Sequence, residues 1–337
     1  MRPAATRRSR PLFPVPVIVA VAAACGGSSA EPAIGDVDYR AEMRSLVGAI
    51  ADYARTQRPG FVVIPQNGLE LLTLDGDPLG PLADDYVQAI DGCGQEDVSY
   101  GYPALGDVSP ATMHATLVAF LDRLETAGRQ ALTIDYCGDE GQADASISTA
   151  QEHGYITFPA DRRELDDVPE YPAEPVGVNS DDIEALADAR NFLYLINPGE
   201  FGSREEFLAA VAQTDYDLVV MDAFFDSEPL TEDDLEAIRE KAGGGTRLLI
   251  AYMSIGEAEE YRYYWKPEWS DDPPSWIEQE NPDWEGNYKV RYWDPAWQGI
   301  LLGCEACYLD RILAAGFDGV YLDIIDAFAW FEGQAGM

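Results

Sequence analysis

The sequence predicts an α/β protein folded as a (β/α)8 barrel, and three observations lead to this prediction. Eight apolar runs rich in β-branched residues follow one another along the chain. Helical patterns separate most of these runs, which is typical of a parallel sheet whose strands are joined by helices. Carboxylates follow several runs directly, and barrels present their functional groups at the carboxyl ends of their strands. The length of 337 residues suits one large barrel domain.

The predicted elements alternate along the chain. The strands are 61–66, 88–94, 131–137, 155–160, 192–197, 218–224, 248–254 and 319–324. The helices are 39–57, 110–127, 143–152, 203–213, 231–242 and 296–315, most of which begin with a capping signal. Two segments interrupt this order. Residues 161–190 are rich in proline and acids and predict a surface linker, whereas the Trp- and Tyr-rich insertion 255–294 is expected to form one wall of a binding site.

The N-terminus is expected to be a targeting segment. Four arginines precede an apolar run at 15–24, which ends at Cys25 and a Gly/Ser-rich stretch. This pattern predicts a lipoprotein signal at 1–24, with Cys25 as the lipidated first mature residue and 25–38 as a tether. The apolar run is too short to span a membrane. The expected location is therefore outside the cell, with a lipid anchor on the outer face of the cell membrane; an ordinary cleaved signal with unmodified Cys25 is the alternative.

Acidic residues dominate the charge of the chain. Asp and Glu number 61 against 22 Lys and Arg, which gives a formal net charge of −39. Such a protein would be repelled by nucleic acid, so a nucleic-acid partner is excluded. Only three of the basic residues are lysines. An acidic, lysine-poor surface is typical of adaptation to high salt, and attraction of a cationic substrate is the functional alternative.

Four cysteines follow the targeting segment. Cys93 and Cys137 each lie at the end of a predicted strand and could meet across neighbouring strand ends, whereas Cys304 and Cys307 form a C-x-x-C within a helical pattern. A zinc site would need more ligands, and the chain has only two histidines. We therefore interpret all four cysteines as structural, leave their pairing open, and expect neither a metal nor an organic cofactor.

Carboxylates are the chemical groups that the sequence supplies most clearly, because it contains no nucleophile elbow, P-loop or HExxH motif. Those at predicted strand ends are Glu96, Asp135, Asp222, Glu257, Asp323 and Asp326. A pair of carboxylates on the carboxyl face of a barrel is typical of glycosidases, in which one acts as acid and the other as nucleophile or base. Aromatic residues that could stack on sugar rings include Tyr252, Tyr263, Tyr264, Trp265, Tyr292, Trp293 and Tyr321.

Several long segments resemble a family of extracellular glycoside hydrolases related to the endo-α-1,4-polygalactosaminidases (glycoside hydrolase family 114). The segments are AYMSIGEAEEYRYYW (251–265), NPDWEGNYKVRYWDPAWQ (281–298), GFDGVYLDIIDAF (316–328), FVVIPQNGLELL (61–72), AIDGCGQEDVSYG (89–101) and GRQALTIDYC (128–137). The resemblance implies a (β/α)8 barrel that hydrolyses an α-linked polysaccharide or oligosaccharide without a cofactor. It also implies that the substrate is a cationic amino-sugar polymer.

The order of these segments departs from that of the family. In the relatives, the segments that match 61–137 follow the strand that matches 316–328, whereas here they precede it. The resemblance therefore implies a circular permutation, in which the halves 39–160 and 191–337 are joined by 161–190 into one domain, 39–337. Barrels tolerate such a change because their first and last strands are neighbours. The permutation predicts that strand 61–66 pairs parallel to strand 319–324; a gene-model join or a truncated tandem array is the alternative.

The resemblance also assigns roles to the carboxylates. Asp323 matches the nucleophile and Glu96 the acid/base of a retaining double displacement, although Asp323 could instead cap a strand or form a salt bridge. The candidates for substrate binding are Glu257, Asp326, Asn67, Asp135, Tyr252, Arg262, Tyr321, Trp293 and Asp294. A loop-ordering role for Glu257, helix capping by Asp326 and simple turn chemistry at Asn67 are the alternatives. At the level of the whole protein, the rivals are a catalytically silent carbohydrate-binding lipoprotein and a structural partner domain, which would require a large exposed apolar patch.

Overall fold

The computed structural model of the protein describes residues 37–335. The predicted signal at 1–24, Cys25 and the tether as far as residue 36 lie outside the described residues. Within residues 37–335, the helices are all too short or too polar to cross a bilayer.

Strands and helices alternate along residues 37–335. The strands are β1 (Val62–Pro65), β2 (Gly92–Glu96), β3 (Gln130–Tyr136), β4 (Ile156–Ala160), β5 (Phe192–Leu195), β6 (Leu218–Asp222), β7 (Phe224–Phe225), β8 (Glu228–Pro229), β9 (Leu248–Ser254), β10 (Glu257–Glu259), β11 (Ile277–Glu280), β12 (Asn287–Val290) and β13 (Gly319–Asp323). The α-helices are α1 (Tyr39–Gln57), α2 (Asp84–Ala89), α3 (Ala111–Thr126), α4 (Glu140–His153), α5 (Arg204–Ala212), α6 (Glu232–Arg239), α7 (Pro295–Leu301), α8 (Tyr308–Ala315) and α9 (Ala327–Ala335). Short 3₁₀ turns lie at Leu69–Leu72, Leu186–Asp188, Pro198–Glu200 and Pro267–Ser270.

Two parallel sheets form the centre of the molecule. One has the strand order β1-β13-β9-β6-β5 and the other the order β2-β3-β4. They meet between β1 and β2, where Gln66 pairs with Gly94 and the Asp91 N–H donates to the Val63 carbonyl at 2.9 Å. On the other side, the ring of Phe158 on β4 lies 5.7 Å from that of Phe192 on β5. The prediction of an α/β fold with parallel strands is confirmed.

The pairing of β1 with β13 confirms a specific prediction. The two strands are parallel, with Val62 opposite Gly319 and Pro65 opposite Leu322. On its other side β13 pairs with β9, so the segment that carries Asp323 is an interior strand. Gly319 is required at this contact, because a Cβ there would overlap the carbonyl oxygen of Val62 on the neighbouring strand.

The core lies on both faces of these strands. The central strands are buried along their whole length, which explains why they read as continuous apolar runs in the sequence. Helix α1 shows how the outer layer is built: the side chain of Asp38 accepts the Ala41 N–H at 3.0 Å and caps the helix. The helix then buries a stripe that includes Met43, Val47 and Ile50, and each such side chain contributes about 1.5–3 kcal/mol through burial.

Four elements differ from their predicted form. Part of the predicted strand 88–94 belongs to α2, and β2 begins only at Gly92. The prediction was wrong here because a short apolar run does not distinguish a buried helix from a strand. The predicted helix 296–315 is two helices, α7 and α8. The insertion 255–294 contains an antiparallel sheet, β10-β12-β11, rather than only loop. Helix α9, which was not predicted, follows β13 and buries Phe328 and Phe331, the latter against Tyr39 of α1.

The cysteines separate into two kinds. Cys304 and Cys307 form a disulfide in the connection between α7 and α8. Gly303, immediately before it, has a φ of 96°, which ends the helical pattern there. Cys93 and Cys137 are buried and free, so they do not meet across the strand ends.

Candidate active site

A cavity of ≈ 340 Å³ lies at the carboxyl ends of the parallel strands. Residues at or near the carboxyl ends of β1, β2, β5, β6, β9 and β13 converge on it. Seven sequence-predicted residues line it: Asn67, Glu96, Tyr252, Glu257, Arg262, Asp323 and Asp326. Because all these strands run in the same direction, their final side chains reach a common edge, which is where α/β proteins bind ligands.

Asp323 ends β13 with its carboxylate in this cavity. The Tyr252 hydroxyl donates to Oδ2 at 2.6 Å, and the Ile324 N–H donates to Oδ1 at 2.8 Å. Burial raises the pKa of Asp323 to about 8, and the charge of Glu96 adds to the increase; the Tyr252 hydroxyl acts in the opposite direction. Asp323 is therefore a carboxyl group that gains or loses its proton near neutral pH.

Glu96 ends β2 and is held by groups from both neighbouring strands. The Asn67 amide, just beyond β1, donates to Oε2 at 3.0 Å, and the Tyr136 hydroxyl at the end of β3 donates a short hydrogen bond to Oε1. The side-chain Oδ1 of Asn67 in turn accepts the backbone N–H of Glu96 at 3.1 Å. Asn67 therefore orients Glu96, in addition to making the turn that its sequence context suggests.

Backbone strain concentrates around this pair of carboxylates. Asn67, Asp97 and Ile324 have positive φ angles of 61°, 58° and 59°, and each directly follows a residue that lines the cavity. A left-handed conformation costs roughly 1–2 kcal/mol for a residue other than glycine, and it is least expected for a β-branched residue such as Ile324. Strain of this kind commonly lies at functional sites, where the surrounding structure holds it in place.

Asp326 and Glu257 form a second acidic group in the same cavity. Burial raises the pKa of Asp326 to about 6, with Glu96 and Glu257 raising it further and Lys289 lowering it. Glu257 is 1% exposed; its Oε1 accepts Lys289 Nζ at 3.0 Å and Asn281 Nδ2 at 2.9 Å. Among the described residues, its Oε2 has no hydrogen-bond partner. A buried carboxylate oxygen without a donor is costly, so Glu257 Oε2 is well suited to accept a ligand N–H or O–H.

Arg262 is a fixed cation in the side of the cavity. Its guanidinium donates to Asp222 at 2.8 Å and to Glu259 at 2.6 Å, and it lies 5.6 Å from the centroid of the Phe224 ring. The single charge of Arg262 thereby offsets part of the charge of these two carboxylates. Over the whole cavity, however, seven acidic side chains stand against two arginines, and this excess of negative charge favours a cationic ligand.

Four sequence candidates lie outside this cavity. Asp135 is 2% exposed. Its Oδ1 accepts the N–H groups of Ser99 and Tyr100 and its Oδ2 accepts the hydroxyl of Ser146, so neither oxygen is left for a ligand. Tyr321 is fully buried beneath the cavity, with its ring 5.2 Å from that of Tyr194.

The other two belong to the C-terminal half of the insertion and the helix after it. Trp293 packs with its ring 4.7 Å from that of Phe331 and 5.2 Å from that of Tyr39. Asp294 caps α7 by accepting the Ala296 N–H at 2.7 Å. These contacts assign them packing and capping roles.

Sequence reasoning missed several residues that line the cavity, and Arg163 and Trp284 are two of them. Arg163 comes from the predicted surface linker; it donates to Asp97 Oδ1 at 2.7 Å, and its guanidinium lies 4.2 Å from the centroid of the Tyr136 ring. Trp284, one of the aromatic residues of the insertion, is 64% exposed at the rim. The one signal for Arg163 is its position just beyond the end of β4, where a parallel strand delivers residues to the functional edge.

The described residues do not suggest a metal centre. Within 37–335, no three or more His, Cys, Asp or Glu side chains are grouped so that they could hold a metal ion. The side chains that line the cavity supply carboxylates, tyrosine hydroxyls, amides and arginine.

Parts of the chain are similar to known proteins. Three uncharacterized proteins are similar to parts of the chain. The Deinococcus radiodurans protein is 46% identical over 129 residues, which is 38% of this chain and 39% of that protein. The Methanocaldococcus jannaschii protein is 44% identical over 124 residues (36% and 34%), and the Thermotoga maritima protein is 37% identical over 124 residues (37% and 37%). The chain thus spans little more than a third of the length of the curated relatives it matches.

A family match covers the C-terminal part of the chain. Residues 205–336 match the glycoside-hydrolase family GH114. This segment contains Asp323, Asp326 and Glu257, whereas Glu96 lies outside it and reaches the cavity through the pairing of the two sheets. Over residues 205–336, which carry one of the two central carboxylates, the chain is therefore similar to glycoside-hydrolase family GH114.

Proposed function

We propose that the protein is an endo-acting glycoside hydrolase that cleaves an α-linked polymer of amino sugars by a retaining mechanism. One observation carries the proposal: Asp323 and Glu96, from strands distant in sequence, line one cavity, and Asp323 lies within the segment that matches a glycoside-hydrolase family. Two carboxylates on the carboxyl edge of parallel strands are the working groups of glycosidases.

The proposed reaction has two displacements. Asp323 attacks the anomeric carbon while the glycosidic C–O bond breaks, and Glu96 transfers its proton to the leaving oxygen. Water then attacks the same carbon, its proton passes to Glu96, and the ester bond to Asp323 breaks. Tyr252 and the Ile324 N–H orient the nucleophile, and Asn67 and Tyr136 orient the acid/base.

The raised pKa of Asp323 is one argument for a cationic substrate. The first displacement requires Asp323 ionised and Glu96 protonated, whereas burial raises the pKa of Asp323 to about 8. A substrate ammonium group near Asp323 would lower this pKa and favour the reactive form. The excess of acids over arginines in the cavity favours the same class of substrate.

The principal experiment compares turnover of α-linked galactosamine oligomers by wild type, Asp323→Asn and Glu96→Gln. We expect a loss of roughly 10³-fold or more for Asp323→Asn and of about 10²–10⁴-fold for Glu96→Gln. Asp272→Asn, an exposed site outside the cavity, is the matched control. Equal turnover by all four proteins would contradict the mechanism. Binding without turnover by the wild type would instead support the catalytically silent carbohydrate-binding protein.

Azide rescue separates the two carboxylate roles. With an activated aryl α-glycoside of galactosamine, Asp323→Ala should yield the β-glycosyl azide, because azide replaces the nucleophile and inverts the centre once. Glu96→Ala should yield the α-glycosyl azide, because azide attacks the covalent intermediate. Exchanged products would show that Asp323 is the acid and Glu96 the nucleophile.

We also propose that the two sheets close into one (β/α)8 barrel whose order is a circular permutation. The parallel pairing of β1 with β13, the Gln66–Gly94 bridge and the Phe158–Phe192 contact support this architecture. A chain rebuilt as 191–335 followed by 39–190, which keeps Arg163 directly after β4, should fold with unchanged activity if the permutation is correct. Failure of that chain to fold, with the native order folding normally, would argue against it.

For its location, we propose export and lipid anchoring through Cys25 on the outer face of the cell membrane. The support is the arginine-rich, apolar and Cys-Gly-Gly pattern of residues 2–27. Cys25→Ser should release the protein from membranes into the soluble fraction. Retention of the variant on membranes would contradict a lipid anchor at this residue.

A further inference from the structure

A second cavity, of ≈ 560 Å³, adjoins the first. The two share Asp222, Arg262, Tyr261 and Trp284, so they are parts of one continuous cleft. Each volume falls within the range of about 300–1,000 Å³ that is usual for small-molecule sites. The cleft is therefore larger than the part that holds the two central carboxylates, and that extra space requires its own explanation.

Trp284 is placed at the junction of the two cavities. Its side chain is 64% exposed, although it belongs to an ordered turn between β11 and β12. Two backbone hydrogen bonds hold this turn, from Trp284 N–H to the Asn281 carbonyl at 3.2 Å and from Asn287 N–H to the Trp284 carbonyl at 3.1 Å. A large aromatic face that is exposed yet held by ordered backbone is suited to stack on an apolar ring face.

The second cavity also has polar groups that could bind hydroxyls. Asp226 and Ser227 form the two-residue turn between β7 and β8, and both have positive φ angles, 48° and 69°. This geometry is that of a type I′ hairpin turn, which places the two side chains at a defined site on the rim of the cavity. A sugar ring has an apolar face, which an aromatic side chain can stack on, and hydroxyl groups, which polar side chains can bind. The second cavity offers both kinds of side chain.

We infer that the second cavity is a subsite for sugar units adjacent to the cleaved bond, with Trp284 as their stacking platform. This inference rests on the proposed function and deepens it, because it names the residues that make the enzyme act on chains rather than on a single sugar unit. Its occupant is the continuation of the same glycan, since the cavity opens directly into the one that holds Asp323 and Glu96.

The test compares wild type with Trp284→Ala on a ladder of α-linked galactosamine oligomers and on an aryl α-glycoside that is confined to the first cavity. We expect kcat/KM to fall about tenfold on the longer oligomers, as for the loss of one aromatic contact, and by a smaller factor on the aryl glycoside, because Trp284 also lines the first cavity. Trp284→Tyr should recover most of the loss. Leu79→Ala, an exposed apolar site outside both cavities, should match the wild type on every substrate.

A binding measurement keeps the inference separate from the proposed chemistry. In Asp323→Asn, affinity for the oligomers should increase with chain length, and adding Trp284→Ala should remove that increase. If the wild type binds long chains through Trp284 but cleaves none, the subsite stands and the proposed hydrolysis is wrong. If Trp284→Ala affects short and long ligands equally, or neither, the subsite is wrong.

Discussion

Asp323 should make the folded protein less stable as the pH rises, and Asp323→Asn should remove this loss. Burial raises the pKa of Asp323 in the folded protein to about 8, whereas an unfolded Asp has a pKa of about 3.9. Between these values the folded state binds more protons than the unfolded state. The free energy of unfolding therefore falls as pH increases through this window.

The size of the effect follows from the linkage relation. At about 1.36 kcal/mol per pH unit, the three units between pH 5 and pH 8 correspond to about 4 kcal/mol of stability lost through this one group, before any screening by solvent. Asp323 faces a cavity that is open to solvent, which screens part of its charge. We therefore expect the free energy of unfolding of Asp323→Asn, relative to that of the wild type, to rise by about 2 kcal/mol from pH 5 to pH 8. The corresponding change in Tm is about 4–8 °C.

The assay is urea denaturation of wild type and Asp323→Asn at pH 5, 6, 7 and 8. Other titrating groups are common to both proteins, so the difference between their free energies of unfolding isolates Asp323. Asp272→Asn controls for the loss of one acidic charge at an exposed site outside the cavity. A difference between Asp323→Asn and wild type that stays constant from pH 5 to pH 8 would refute the assignment of this titration to Asp323.

Two further predictions concern Tyr252, which donates to Asp323, and Gly94, which packs against Tyr321. In Tyr252→Phe, loss of the hydroxyl that donates to Asp323 should raise the pKa of Asp323 and move the acidic limb of kcat/KM upward by about one pH unit; an unmoved limb would show that this hydrogen bond does not tune the reaction. Gly94→Ala should lower the free energy of unfolding by about 1–3 kcal/mol, because its Cβ would overlap the buried hydroxyl of Tyr321. Gly48→Ala, which meets no atom within 4 Å, is the control, and equal urea midpoints for the two alanine variants would contradict the packing argument.

Much of the fold was predictable because its central strands are buried on both faces. Such strands need apolar side chains at every position, so they stand out as runs in the sequence. The antiparallel sheet in 255–294 was missed for the opposite reason: β11 and β12 are short and partly exposed, and alternate with turn residues. Helix α2 was missed because its few apolar residues fit a strand equally well.

Part of the site was predictable for a related reason. A carboxylate that directly follows a parallel strand must come to the common edge of the sheet, which brings Asp323 and Glu96 to one cavity. The pattern of strand-end carboxylates alone could not distinguish Glu96 from Asp135, because both lie near the carboxyl ends of neighbouring strands. The difference arises from the loop after β2, whose N–H groups at Ser99 and Tyr100 occupy Asp135 and leave Glu96 facing the cavity.

The sequence by itself determined the alternation of strands and helices and the placing of carboxylates at strand ends, because both depend on local patterns of burial. Only the tertiary structure decided which groups meet. Asn67 and Tyr136 donate hydrogen bonds to Glu96, and Tyr252 donates one to Asp323. Arg163 and Trp284 line the same cavity. The three hydrogen bonds join residues 29 to 71 positions apart in the chain. The protonation of Asp323 depends on them, since a pKa is set by the burial and charges of the assembled site and not by neighbours in sequence.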